Sequence, residues 1–187
     1  MPEEYDFYPI EEGVELVLYE DGVNQILQSG LVEPVARQIL IEAVSLRHEN
    51  PRAAYVIAFA AAEIGIKQFA IQRSQPSEAW LIDTGPSPSM AKLLTGYLPR
   101  LTETRTSDRA APIPKHLLKR LDRAMEKRND LTHTEEPPPS TEEVAELLSS
   151  VNDLLYLLDW FAGQEWALAH LSEETRAAYP EGEPNDG

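Results

Sequence analysis

No cysteine occurs anywhere in the chain, which excludes disulfides, thiolate nucleophiles and cysteine-held zinc. Histidine is scarce as well. His48, His116, His133 and His170 are too widely scattered to form a local metal motif, so neither a metal nor another cofactor is expected. There is no uncharged apolar run of the roughly eighteen residues that a membrane helix needs. The opening Met1-Pro2-Glu3-Glu4-Tyr5-Asp6 has neither the basic nor the apolar region of a secretory signal. The sequence therefore predicts a cytoplasmic protein with no membrane contact. Positive charge is also in short supply, with 16 Lys and Arg against 32 Asp and Glu and a formal net charge of -16. That balance argues against a general nucleic-acid binder, whose affinity comes from neutralising phosphates with Lys and Arg.

What basic charge there is lies mostly in one place. Between Arg100 and Arg128 the chain carries nine of its 16 basic residues against four acids, so the segment is +5 and the remainder -21. The 187-residue length and 42% apolar content suit one domain with a real core. Residues 1–30 are acidic, with a short β-like run from Val14 to Tyr19 before Asp21-Gly22 and Ser29-Gly30. They read as a short irregular or hairpin N-terminal arm.

The rest reads as all-α. Apolar residues recur at helical spacing from Val32 to about Glu49, and Asn50-Pro51 marks a stop and a new start, which predicts an antiparallel helix pair. The second helix, about Pro51 to Arg73, is apolar nearly all round from Ala53 to Ile66, with Glu63 as its one charge there. Such a helix is buried on most sides. Shorter helices are expected near Ser77–Ile82 and Ser89–Leu98, then a loop from Arg100 to Pro114. A basic helix runs from about Pro114 to Leu131, and Pro137-Pro138-Pro139 separates it from the last helix. Ser140 and Glu143 form a capping box there, and an apolar seam from Val144 suggests a helix reaching about Leu171, roughly 45 Å long. Such a seam fits packing within a bundle better than a coiled coil. Residues 31–171 form the expected bundle, and 172–187 a disordered polar tail.

On a helical wheel for the basic helix, with Leu117 at zero, Leu121, Ala124, Met125 and Leu131 lie within about 80° and form the buried stripe. Arg128 falls at about 20°, inside the stripe, and therefore needs a carboxylate partner; Glu63 is the candidate. Asn129 and His133 lie at about 120° and 160°, four residues apart on one face. Lys119, Arg120, Arg123 and Lys127 take the outward side, where they can touch a polyanion.

At these residues the chain resembles the HEPN superfamily, compact helical bundles found in prokaryotic toxins and defence proteins, some of which cleave RNA. The family signature is an arginine, commonly followed by Asn, Asp or His, then a histidine after four to six intervening residues. Arg128, Asn129 and His133 match it with four intervening residues. Ala60-Ala61-Ala62-Glu63-Ile64-Gly65-Ile66-Lys67 is similar to the Ala-rich helix, with embedded Glu and following Lys, of many members. The resemblance spans about Leu31 to Leu171 and implies an antiparallel helical bundle.

It also implies a metal-independent endoribonuclease acting as a toxin or defence effector. The 2'-hydroxyl would attack its own phosphodiester to leave 2',3'-cyclic phosphate and 5'-hydroxyl ends. Arg128 and His133 would be catalytic, Asn129 supporting, Glu63 would hold the guanidinium, and Lys119, Arg120, Arg123 and Lys127 would contact RNA. One histidine per chain supplies either the base or the acid, so a homodimer with a shared site is implied, with an antitoxin or regulatory protein as a further partner. The alternative from the same residues is a non-catalytic HEPN-like dimerisation or protein-interaction module in which Arg128 and Glu63 are a structural ion pair. A third is an acidic nucleic-acid mimic that occupies a basic partner.

Overall fold

A computed structural model describes residues 34–75, 90–101 and 113–179. The chain divides into two units, Met1–Leu31 and Val32–Gly187, and all the described residues belong to the second. The expected N-terminal arm, the short helix at Ser77–Ile82 and most of the loop after Arg100 lie outside them.

The described residues are helical, without strands. The helices are α1 (Val35–Leu46), α2 (Pro51–Arg73), α3, α4 (Lys115–His133), α5 (Thr141–Ala162) and the short α6 (Glu173–Arg176), with a 3-10 segment at Glu165–His170 before α6. Helix α3 has three consecutive pieces, Met90–Lys92, a π-helical Leu93–Tyr97 and Leu98–Leu101. The π turn ends two residues before Pro99, which has no N–H to give to the preceding turn.

Helix α2 is the centre of the bundle, contacting α1, α3, α4 and α5. It starts on Asn50, whose side chain accepts from Ala53 N at 3.1 Å, with Pro51 pre-set in the first turn. Ala54, Ala58, Ala61 and Ala62 are fully buried, and these small residues let the neighbouring helices approach. Gly65 marks the tightest place. A Cβ there would stand 2.4 Å from Leu155 Cδ2 of α5 and 3.5 Å from Ala36 Cβ of α1. The same contact sets direction: residue 36 at the start of α1 lies beside residue 65 late in α2, so the two helices run antiparallel. By length and hydropathy α2 is able to cross a membrane, but 56% of its most apolar stretch is buried inside the protein, as befits a core helix.

Helix α5 supplies the other half of the core, with Val144, Leu147, Leu148, Val151, Leu154, Leu157 and Leu158 buried. Its capping box is in place: Ser140 N donates to Glu143 Oε2 at 2.7 Å, and Glu143 N to Ser140 Oγ at 3.2 Å. The C-terminal end differs from expectation. Helix α5 stops at Ala162, about 33 Å long rather than 45 Å, because Gly163 turns left-handed (φ 112°) and Gln164 N caps Asp159 O at 3.0 Å. The apolar seam resumes beyond the break, with buried Ala167 in the 3-10 segment and buried Leu171 just after it, so sequence spacing alone does not reveal the break.

The boundary expected at residue 172 also needs correction. Residues 172–179 are folded onto the bundle rather than belonging to a polar tail. Asp153, 3% exposed in α5, accepts from Ser172 N (2.8 Å), Ser172 Oγ (2.6 Å) and the fully buried Thr175 Oγ1 (2.5 Å). Thr175 Oγ1 also meets His116 Nε2 of α4 at 3.1 Å. The Tyr179 ring then packs edge-on against Trp160, with centroids 5.0 Å apart.

Candidate functional site

The expected buried stripe of α4 is present: Leu117, Leu121, Ala124 and Leu131 are buried, and Met125 is half-buried. Arg128 leaves the helix in the middle of that stripe. Its NH2 donates to Glu63 Oε2 at 2.8 Å and its NH1 to Asn129 Oδ1 at 3.0 Å, while Cζ stands 4.9 Å from the centroid of the Phe59 ring. Phe59 is completely buried. Phe59 and Glu63 are four apart on α2, hence on one face of that helix, and together they hold the guanidinium from below and from the side. Glu63 was read from the sequence as the partner; Phe59 was not. Its signal was the same four-residue spacing.

The bonds to Glu63 and Asn129 occupy two of the five N–H donors of the guanidinium. The Arg128 side chain is 28% exposed, so the group is anchored without being enclosed.

Asn129 and His133 both face solvent. Asn129 spends its carbonyl on Arg128. His133 is the last residue of α4, one turn beyond Asn129, and among the described residues no hydrogen bond or ion pair engages its ring. The backbone around it is well fixed. Thr132 Oγ1 donates to the carbonyls of Arg128 and Asn129, both at 3.0 Å, and Thr134 Oγ1 donates to Asp130 O at 2.6 Å. From α2, Arg52 donates to Leu131 O at 3.0 Å and to Glu136 O. The Arg52 bond to Leu131 O satisfies a carbonyl that the helix end leaves open, and together these contacts fix the end of α4 that carries His133.

The four cations expected to contact RNA do not behave alike. Lys119 and Arg123 are exposed. Arg120 is spent on two carboxylates, with Nε on Glu146 Oε1 at 3.0 Å and NH1 on Glu174 Oε2 at 2.8 Å. Lys127 is half-buried and lies between Glu136 (3.5 Å) and Glu143 (3.6 Å). The outward row therefore presents less free positive charge than its sequence implies, because α5 and α6 bring acids to it. Among the described residues no group of three or more His, Asp or Glu side chains is placed to hold a metal ion.

A second polar and aromatic cluster lies where α1 meets the end of α5. Arg37 is ion-paired with Asp159, and its Cζ stands 4.3 Å from the Tyr156 ring centroid. His170 stacks on the same Tyr156 ring, with centroids 5.1 Å apart. Burial, and then the charge of Arg37, hold the His170 imidazole below its ordinary pKa. These contacts tie the 3-10 segment to the bundle. No family model, curated protein or solved structure matches the chain.

Proposed function

We propose that the chain is a HEPN-like, metal-independent endoribonuclease, a cytoplasmic toxin or defence effector that cleaves RNA at a site shared by two protomers. The observation that carries the reading is the contrast within the last turns of α4: Arg128 is anchored by Glu63, Asn129 and Phe59, whereas His133 is exposed with its ring unengaged. A fixed guanidinium with spare N–H donors suits the non-bridging oxygens of a phosphate as charge grows on them. Histidine suits proton transfer near neutral pH.

In the reaction the 2'-oxygen bonds to phosphorus and gives its proton to a base. The bond from phosphorus to the 5'-oxygen breaks, and an acid returns a proton to that oxygen. One protomer's His133 serves one role and the partner's copy of this residue the other. Asn129 keeps the guanidinium in place and Glu63 steadies it. An antitoxin or other regulatory protein would keep such an activity in check.

A second reading, a non-catalytic HEPN-like dimerisation or interaction module, draws its support from Arg120 and Lys127, which are spent on carboxylates rather than left free for RNA. The shared site is open to a direct test, because the chain has no cysteine and His133→Cys introduces a unique thiol. A short bifunctional thiol crosslinker is expected to join two protomers of this variant efficiently, and to join an Arg47→Cys control poorly. A protein that remains monomeric, or that crosslinks equally through both positions, contradicts the shared site.

A further inference from the structure

Between α2, α4 and α5 lies a cavity of about 250 Å³ whose walls differ in chemistry. Helix α4 contributes Arg120, Arg123 and Lys127, and α5 contributes Glu143 and Glu146. Tyr55 of α2 lines it from the core side and is only 5% exposed. Its hydroxyl has no hydrogen-bond partner among the described residues. Burial first, and then Glu143 and Glu146, push this phenol up to about 12, so at neutral pH it keeps its proton and is a donor without an acceptor. The hydroxyl is not sealed inside the core; it belongs to a residue that lines the cavity, where it can donate to a bound group.

The cations are not fully spent either. Arg123 is exposed and has no carboxylate partner among the described residues. Lys127 holds its two carboxylates only at 3.5 and 3.6 Å, and so can turn to a better acceptor. Across the cavity, Glu143 and Glu146 offer acceptor oxygens. A simple inorganic anion would use the cations but would also meet these two carboxylates. A ligand with an anionic end and a hydroxyl-bearing end uses both walls.

We propose that this cavity binds a small phosphomonoester carrying a hydroxylated group of about sugar size. Its phosphate rests on Arg123, Lys127 and the Tyr55 hydroxyl, and its hydroxyls donate to Glu143 and Glu146. The volume lies just below the roughly 300–1,000 Å³ of drug-sized sites, which suits a single sugar phosphate. On the helical wheel the three cations fall at about 240–300° and Asn129 and His133 at about 120–160°. The cavity is therefore on another face of α4 from Asn129 and His133, on cations that the ribonuclease reading gives to RNA contact.

Calorimetry on the full chain in low-salt, phosphate-free buffer tests this, with ribose 5-phosphate, inorganic phosphate and ribose as probes. Ribose 5-phosphate is expected to bind saturably, at least about fivefold tighter than inorganic phosphate, and ribose to give no binding heat. Arg123→Ala, at an exposed position, should weaken it about tenfold or more, and Tyr55→Phe, which keeps the ring in place, about fivefold. No saturable binding up to about 10 mM ribose 5-phosphate overturns the proposal. Equal affinity for the sugar phosphate and for inorganic phosphate overturns it too, since that marks anion binding only. Binding unchanged in both variants removes the cavity as its location.

Discussion

Replacing Arg128 by alanine removes three things at once, and the structure allows each to be sized. The ion pair with Glu63 is short, but its side chains are 28% and 41% exposed, so solvent screening limits it to about 0.5–1 kcal/mol. The guanidinium over the ring of the fully buried Phe59 contributes about 0.5–1 kcal/mol. The packed methylene stem adds a similar amount. The expected loss is about 2 kcal/mol, or a fall in Tm of roughly 4–8 °C for a chain of this size. Glu63→Gln should cost less, about 0.5–1 kcal/mol.

In a double-mutant cycle the two changes should couple by about 0.5–1 kcal/mol, because they share one contact. Urea unfolding of the four proteins, with their m-values, gives all the terms. His133→Ala serves as the control and should lie within about 0.5 kcal/mol of the parent. A cycle with no coupling, or an Arg128→Ala protein as stable as the parent, would refute the account of Arg128 as an anchored group. A destabilised His133→Ala protein would refute the claim that His133 has no structural duty.

Three further outcomes follow from the packing. Gly65→Leu should destabilise by about 3 kcal/mol or more, since even a Cβ at this position meets Leu155 at 2.4 Å, whereas Gly96→Leu, with open space around it, should be nearly neutral by thermal melting. Asp153→Ala strands the donors of Ser172 and Thr175 and should cost about 2–4 kcal/mol; hydrogen exchange should rise first in residues 172–179, and uniform protection there contradicts the latch. Folding lowers the His170 pKa below its ordinary value of 6.5, which the unfolded chain keeps. Its contribution is therefore retained above that pH, is lost as the pH falls through about 6.5, and levels off below the folded value. Urea unfolding between about pH 8 and 5 should show a shallower decline for His170→Gln, and a slope unchanged by that substitution removes the effect.

Local signals in the sequence were read correctly where local physics decides. The Ser140–Glu143 box, the Asn50-Pro51 start of α2 and the wheel of α4 each depend on residues within a turn or two. The Arg128–Glu63 pair was legible because a cation in an apolar stripe demands a partner and α2 offers one acid in its apolar stretch. Phe59 was missed because an aromatic among buried alanines looks like ordinary core. The break at Gly163 was hidden by apolar residues that keep helical spacing beyond it. The docking of residues 172–179 depends on Asp153, nearly twenty residues away, and a polar segment gives no sign that Thr175 will be buried. The neutralisation of Arg120 and Lys127 was likewise invisible, since their acids come from α5, α6 and the loop before α5.

The central claim is that His133 serves chemistry and not structure, and RNA cleavage by the purified protein tests it most directly. With a folded RNA in chelator-containing buffer, the parent should produce 2',3'-cyclic phosphate and 5'-hydroxyl ends. His133→Ala should cut at least about a hundredfold more slowly while melting at the parent's temperature. Intact RNA with the parent protein, or cleavage undiminished by His133→Ala, would contradict the account.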